Sequence, residues 1–398
     1  MKRAAIEQGI VMDIRGLILI DNDQAREDHE LFSTPAGLVD VAGKNAMIRT
    51  AERLQQAGIR PITSVVASEV PATRVREISV PDLKQTTAAP ERFWRAAESA
   101  FNELVQEGAE LVILIKIGAY VEADFERLIQ FHLDQECRVT QLSYLGEPLQ
   151  IFCLSASRRN DAASLLRSNL TKCRSECPML EHFGYVNFLG NGGDVRQFAI
   201  DILMRQTETA PAGKERKPGV WVGSGAQIER GARLLAPAYI GCMARICSGA
   251  VITRCSTVEH HGHVDLGTVI ENSSVLAYSY VGAGLDLAHS VTGQARIANL
   301  RRGATAEVPD RKLVAALAES SARKLFSSAA EFVSYLPRQV WRGMWGDKTR
   351  VPDLQATLHQ TSPALGNAAG YEAPACNTEA ANDFHTPTLA VARPHGNQ

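Results

Sequence analysis

Asp21 and Asp23 stand one residue apart, directly after the apolar run Gly16-Leu-Ile-Leu-Ile20. Two carboxylates at the end of a buried strand can hold a divalent cation such as Mg²⁺, and open α/β sheets place their sites at that end. Aspartates also favour turns and caps, so a purely local use stays open. A second group lies in Glu259-His-His-Gly-His263, with Asp265 beyond it. A histidine titrating near neutral pH can take a proton from a hydroxyl or an amine, with Glu259 or Asp265 to orient it. A surface or subunit-contact role, or metal binding, would use His260, His261 and His263 equally well. His289 is an isolated further candidate. Cys173 and Cys177 could sit one helical turn apart as half of a metal site, but no second Cys or His pair at ligand spacing accompanies them. The eight scattered cysteines read as reduced thiols of a cytoplasmic protein.

The elements that must position these groups fall into two kinds. Residues 16 to 205 alternate strand-like and helix-like stretches. Gly16 to Ile20, Ile62 to Val70, Leu111 to Ile115 and Val139 to Leu142 read as strands. Ala46 to Ala57, Pro90 to Glu107 and Asp124 to Leu133 carry helical periodicity, with Gly58 and Gly108 as stops for the first two. That rhythm predicts a doubly wound α/β domain over residues 1–205. A Pro/Gly/Lys-rich linker over 206–218 follows.

From Val222 to Leu276 every sixth residue is aliphatic: Val222, Ile228, Leu234, Ile240, Ile246, Ile252, Val258, Val264, Ile270 and Leu276. A small residue stands two places before each of them from Ile228 on. This is the hexapeptide signature of a parallel β-helix, here over 219–308, in which three hexads close one coil. The arithmetic stacks Val222, Ile240, Val258 and Leu276 on one side, Ile228, Ile246 and Val264 on the second, and Leu234, Ile252 and Ile270 on the third. The register slips by one near Leu276 and continues through Val275, Val281 and Leu287. Asp310 to Leu336 is helical by period, within a helical segment at 309–346. Residues 347–398 have the composition of a disordered tail. Trp341 and Trp345 among basic residues have the make-up of a membrane-surface contact or of a segment that packs on the protein itself.

Hydrophobic content of 45% and charged content of 22% are those of a soluble globular chain, and a net charge of -2 with no basic stripe excludes a general nucleic-acid binder. Met1 to Gly16 lacks an uninterrupted apolar core, so neither a signal peptide nor a membrane span is expected.

The order of these elements is similar to that of the sugar-1-phosphate nucleotidylyltransferases (NDP-sugar pyrophosphorylases), which carry a nucleotidyltransferase-like domain before a hexapeptide left-handed β-helix. Pro35-Ala-Gly-Leu-Val-Asp-Val-Ala-Gly-Lys-Asn45 and Ala57-Gly-Ile59 resemble that family's P-K-P-L-L-P-V-x-G-K-P segment and the end of its first helix. The strand at Leu111 to Ile115, Asp124 and the helix ending in Gln130-Phe-His132 resemble its metal-site region. Tyr280-Val-Gly-Ala-Gly-Leu285 and Ala298-Asn-Leu-Arg301 resemble its coil. The resemblance covers roughly residues 15 to 305. It implies attack of a sugar phosphate on a nucleoside triphosphate with Mg²⁺, with Lys44 and Asn45 at a nucleotide-binding position and Asp194 near a metal ligand.

Three features depart from that pattern. The family's Gly-rich phosphate loop is replaced by Asp21-Asn-Asp-Gln-Ala-Arg-Glu-Asp-His29, where Arg26 is the one candidate phosphate contact. Ala36 stands where the family has a Lys, and Gly118 where it has a metal-binding Asp. A loop that is acidic and free of glycine repels a triphosphate rather than cradling it. The expectation is therefore a catalytically degenerate relative, a scaffold or sensor in polysaccharide or nucleotide-sugar metabolism, homo-oligomeric through its β-helix. An active, divergent nucleotidylyltransferase stays open, with Asp21, Asp23 or Asp194 rebuilding the metal site. So does a hexapeptide acyltransferase, with His263 as base and CoA along the coil.

Overall fold

The computed structural model describes residues 12–21, 31–32, 34–67, 80–156, 163, 166–168, 170 and 177–317, all within one compact unit spanning residues 1–332. An α/β region comes first, followed by many short parallel strands.

The α/β region is built on a seven-stranded sheet. Its strands are β1 (Ile14–Ile20), β2 (Ile62–Ala67), β3 (Leu83–Ala88), β4 (Leu111–Lys116), β6 (Val139–Tyr144), β7 (Glu147–Ser155) and β8 (Met179–Glu181). A separate pair joins β5 (Tyr120–Val121) to β9 (Val186–Asn187). The sheet runs β3-β2-β1-β4-β7-β6-β8. The first four strands are parallel, and β7 is antiparallel to both of its neighbours. The sheet is thus mixed, because β6 and β7 form a hairpin where a purely doubly wound sheet would need another crossover.

Unbroken apolar runs make β1 and β4 buried on both faces. Leu17 and Leu19 point into the layer built on helix α2 (Phe93–Gln106). Ile18 and Ile20 point into the opposite layer, which holds α1 (Ala46–Gln56), α3 (Phe125–Asp134) and α4 (Gly192–Leu203). Side-chain caps begin three of these helices: Asn45 accepts from Ile48 N, Asp124 from Arg127 N and Asn191 from Asp194 N. β3, β7 and α4 were not anticipated; β3 carries half-buried and exposed residues without an apolar run, and α4 begins with Gly192-Gly-Asp194, a turn-like start.

The coil begins inside the expected linker. Lys214–Lys217 is a strand that pairs antiparallel with Val220–Val222. Three columns of short parallel strands follow, an arrangement compatible with a β-helix. Val222 pairs with Ile240 and Ile240 with Val258. Ile228, Ile246, Val264 and Val281 form the second column. Leu234, Ile252, Ile270 and Leu287 form the third. The aliphatic residues fill one continuous interior.

Leu276 does not belong to that interior. Val258 pairs with Val275 instead, and Leu276 packs into the core of the α/β region together with Tyr239, Val291 and Ala298. The cause is a corner one residue shorter. Thr253 pairs with Glu271 but Thr257 pairs with Ser274, and left-handed Arg254 and Cys255 are answered by left-handed Asn272 alone. One residue fewer turns Val275 inward and Leu276 outward.

The coil ends differently from the expected helix at Asp310. Residues 310–313 turn, and Val314–Ala316 is a strand antiparallel to Ser279–Val281. The open backbone edge of the last coil is satisfied this way, with Gly282 N donating to Leu313 O at 2.7 Å and Leu317 N to Tyr278 O at 2.6 Å. The rest of the expected helical segment, Trp341, Trp345 and the tail lie outside the described residues. Among the described residues no helix is long and apolar enough to cross a membrane. The thiols at Cys137, Cys153, Cys242, Cys247 and Cys255 are free. Cys177 is disulfide-bonded, which corrects the expectation of reduced thiols at that position.

Ile252 is fully buried at the centre of the coil's interior. Ile252→Ala should therefore destabilise the protein by about 2–5 kcal/mol in denaturant unfolding, while the exposed Leu266→Ala on the same coil should stay within about 0.5 kcal/mol.

Candidate functional site

The strand order reverses direction between β1 and β4, which makes the crevice at their C-terminal ends the natural binding place of the sheet. Asp21 lies there, its Oδ2 3.5 Å from Lys116 Nζ at the end of β4. The Lys116 ammonium also sits 5.5 Å from the ring centroid of Trp94. Neither Lys116 nor Trp94 was singled out from sequence; the signal was a lysine ending a buried strand beside an aspartate ending its neighbour. Asp23 and Arg26 lie outside the described residues.

The remaining α/β candidates are held in local structure. Lys44 Nζ is 2.6 Å from Glu52 Oε1, and Asn45 is the α1 cap. Asp194 Oδ2 accepts from Gly190 N at 2.8 Å and its own N–H donates to Asn191. A side chain at Gly118 would meet open space.

The turn just before α1 has the most developed polar surroundings. Ala42 and Gly43 both have positive φ, 49° and 86°, the sign pattern of a type I′ turn, and Val41 bridges Lys44 across it. Consecutive N–H groups in such a turn converge on an anion. The group held there is the Glu259 carboxyl from the coil, which accepts from Ala42 N at 2.8 Å and Gly43 N at 2.9 Å. On the other side of the turn Arg49, 1% exposed, donates to Val41 O at 2.7 Å and to Ala210 O at 3.1 Å, and also bonds Thr209 Oγ1. Gly43 is required as glycine, because a Cβ there would collide with Tyr239 Oη of the coil. His260 Nδ1 lies 2.6 Å from Asp40 Oδ2, both largely buried, with the ring turned out of line for a hydrogen bond. His261 stacks on Tyr278, their rings 8° from parallel. His260 and Glu259 are therefore contacts between the coil and the α/β region. Arg196 on α4 makes a second such contact, donating to Asn272 O, Asn272 Oδ1 and Ser274 Oγ at the shortened corner.

His263 stands apart from that contact. It pairs with Arg245 one coil earlier and Tyr280 one coil later. Its Nε2 is 3.4 Å from Cys247 Sγ, and Asp265 completes a group whose ligand atoms lie within 4.8 Å of one another. Burial and the nearby Arg245 guanidinium hold the His263 imidazole below its usual range, so it is neutral at neutral pH. Burial, followed by Glu229, pushes the Cys247 thiol up to about 11, which makes it a poor free nucleophile. Cys247 was missed in the sequence; once the coil register is known it occupies the same place as Asp265 on the next turn. His289 Nδ1 is 2.7 Å from Asn272 Nδ2.

The chain matches no protein-family model, and no curated protein is significantly similar to it.

Burial, then the charge of Asp40, pushes the Glu259 carboxyl up to about 8 from an ordinary 4.5, against the two turn N–H groups and Arg49. The folded state thus holds a proton that the unfolded state releases. This contribution to stability is full below about pH 4.5 and is lost as the pH rises to about 8. Glu259→Gln should flatten that slope in unfolding curves taken across this range. Glu259→Ala strands two buried N–H groups and should cost about 2–5 kcal/mol in denaturant unfolding at neutral pH.

Proposed function

We propose that the protein is a catalytically degenerate relative of the sugar-1-phosphate nucleotidylyltransferases that binds a sugar nucleotide or sugar phosphate without turning it over. The coil is then a left-handed β-helix through which copies assemble, and the molecule acts as a scaffold or sensor in polysaccharide or nucleotide-sugar metabolism. The observation that carries this reading is the placement of Asp21 and Lys116 at the ends of β1 and β4, where the strand order switches. It combines a sheet position suited to a ligand with one cation, Lys116, and one aromatic face, Trp94. Asp21 shares that cation.

The groups that would do chemistry support the same reading. Nucleotidyl transfer needs cations and backbone N–H groups around the phosphates and carboxylates on Mg²⁺. Lys44 pairs with Glu52. The Ala42 and Gly43 N–H groups are taken by Glu259. Asp194, in the first turn of α4, accepts from Gly190 N. Gly118, where the resemblance expects a metal-binding Asp, supplies no ligand. For acyl transfer, His260 is enclosed with Asp40, which leaves His263 as the candidate base.

A thermal-shift panel tests this with nucleoside triphosphates, sugar nucleotides, sugar phosphates and acyl-CoA esters, each with Mg²⁺. A sugar nucleotide or sugar phosphate at about 100 times its dissociation constant should add about 2.7 kcal/mol and raise the midpoint by several degrees. Lys116→Ala should abolish that shift, and no pyrophosphate should be released with triphosphate and sugar phosphate together. Pyrophosphate release would replace this reading with an active transferase. A shift with acyl-CoA alone would move the function to the coil.

A further inference from the structure

We propose that Cys247, His263 and Asp265 form a binding site for one divalent zinc-class cation on the outer edge of the coil, independent of the crevice between β1 and β4. Among the described residues these three ligand atoms, one sulfur, one imidazole nitrogen and one carboxylate oxygen, lie within 4.8 Å of one another. A tetrahedral Zn²⁺ with sulfur at about 2.3 Å and nitrogen at about 2.0 Å holds those two atoms roughly 3.5 Å apart. The observed separation of Cys247 Sγ from His263 Nε2 is 3.4 Å, so a metal can enter with little movement of either side chain.

The backbone that presents the ligands is rigid. Ile246 and Val264 are fully buried in the coil's interior and pair with each other. The residues beside them on neighbouring turns are held in register by the ladder. Cys247 N donates to Val264 O at 2.9 Å, and Asp265 N to Val281 O at 2.9 Å.

A supporting shell is present as well. Tyr280 Oη donates to Asp265 Oδ2 at 2.7 Å, and Leu266 N donates to Asp265 Oδ1 at 2.7 Å. The Tyr280 ring meets the His263 ring edge-on at 5.2 Å. Such contacts fix the orientation of a ligand before the metal arrives.

The charges fit a cation. Among the described residues Arg245 is the nearby positive group; its guanidinium pairs with Glu229 at 2.9 Å and also meets the Cys247 side chain, a contact that the metal would replace. A thiolate and a carboxylate then supply two negative charges. Sulfur with imidazole selects a borderline-soft ion such as Zn²⁺ over Mg²⁺ or Ca²⁺. His263 and Asp265 are half-exposed while Cys247 is buried, so three protein ligands leave a fourth position facing solvent. That is the open arrangement that takes a water or an exogenous ligand.

The test uses the full chain, stripped with a chelator and titrated with Co²⁺ and then Zn²⁺. One Co²⁺ per chain should bind with a sulfur-to-cobalt charge-transfer band and the visible absorption of a tetrahedral site, and Zn²⁺ should bleach both. Cys247→Ser, nearly isosteric, should remove the charge-transfer band while leaving circular dichroism unchanged. Tyr280→Phe should keep the band but weaken binding about 10–100-fold. The absence of any thiolate band at saturating cobalt would overturn the proposal. A band surviving in Cys247→Ser would also overturn it, by placing the metal on one of the other free thiols, Cys137, Cys153, Cys242 or Cys255.

Discussion

The Glu259 carboxyl group in the turn at Ala42-Gly43 is the contact on which the described molecule depends. Burying a polar group is costly unless its atoms are bonded. Both oxygens are bonded, one to each N–H of the turn, and Arg49 lies across the same turn, bonded to its Val41 carbonyl. Arg49 also grips Thr209 and Ala210, and Ala212 N donates to Ala42 O at 2.9 Å. Three segments far apart in the chain therefore converge on four residues. Apolar packing between coil and sheet would tolerate a small slide. Moving the coil by one strand spacing, about 4.8 Å, would strand a carboxylate and two N–H groups at once. The polar contact fixes position, and the apolar packing of Tyr239, Leu276, Val291 and Ala298 adds area around it.

The shortened coil corner serves the same contact. Had the hexapeptide period run on unbroken, the residue at 276 would have stayed in the coil interior. Dropping one residue at Asn272 brings Val275 into that place and releases Leu276 to the core of the α/β region. It also presents the Asn272 carbonyl, the Asn272 side chain and the Ser274 hydroxyl to Arg196. Burial lowers the Arg196 guanidinium to about 10, still well above neutral, so it docks as a cation.

What could be read from sequence follows the range of the interactions. The coil was legible because its interior repeats: Val222, Ile240 and Val258 each meet the same environment, so the pattern recurs in the residues themselves. The helices at 46–56 and 93–106 were legible from apolar period and glycine stops. Lys214–Lys217 and Val314–Ala316 were not, since each is a strand only because a coil edge offers it backbone partners. The site was harder still. Glu259, His260, His261 and His263 look like one group in sequence, but the turn at His260-His261, between the strands Ser256–Val258 and His263–Val264, divides them. Glu259 and His260 turn to Ala42, Gly43 and Asp40, more than two hundred residues away. His263 turns to Cys247 on the preceding coil.

That division bears on function. The Val41-Ala-Gly-Lys44 stretch is among the best-matching parts of the family resemblance, and in this chain its backbone donors hold a carboxylate of the same molecule. A phosphate could take those donors only by displacing Glu259 and opening the contact with the coil. The Ala42 and Gly43 donors thus serve the junction between the two halves of the fold, while Gly118 and the acidic stretch after Ile20 differ from the pattern of the resembled family. On the proposed reading, ligand binding falls to Lys116 and Trp94, where a phosphate would compete with Asp21, a partly exposed ion pair of the kind worth about 1 kcal/mol or less.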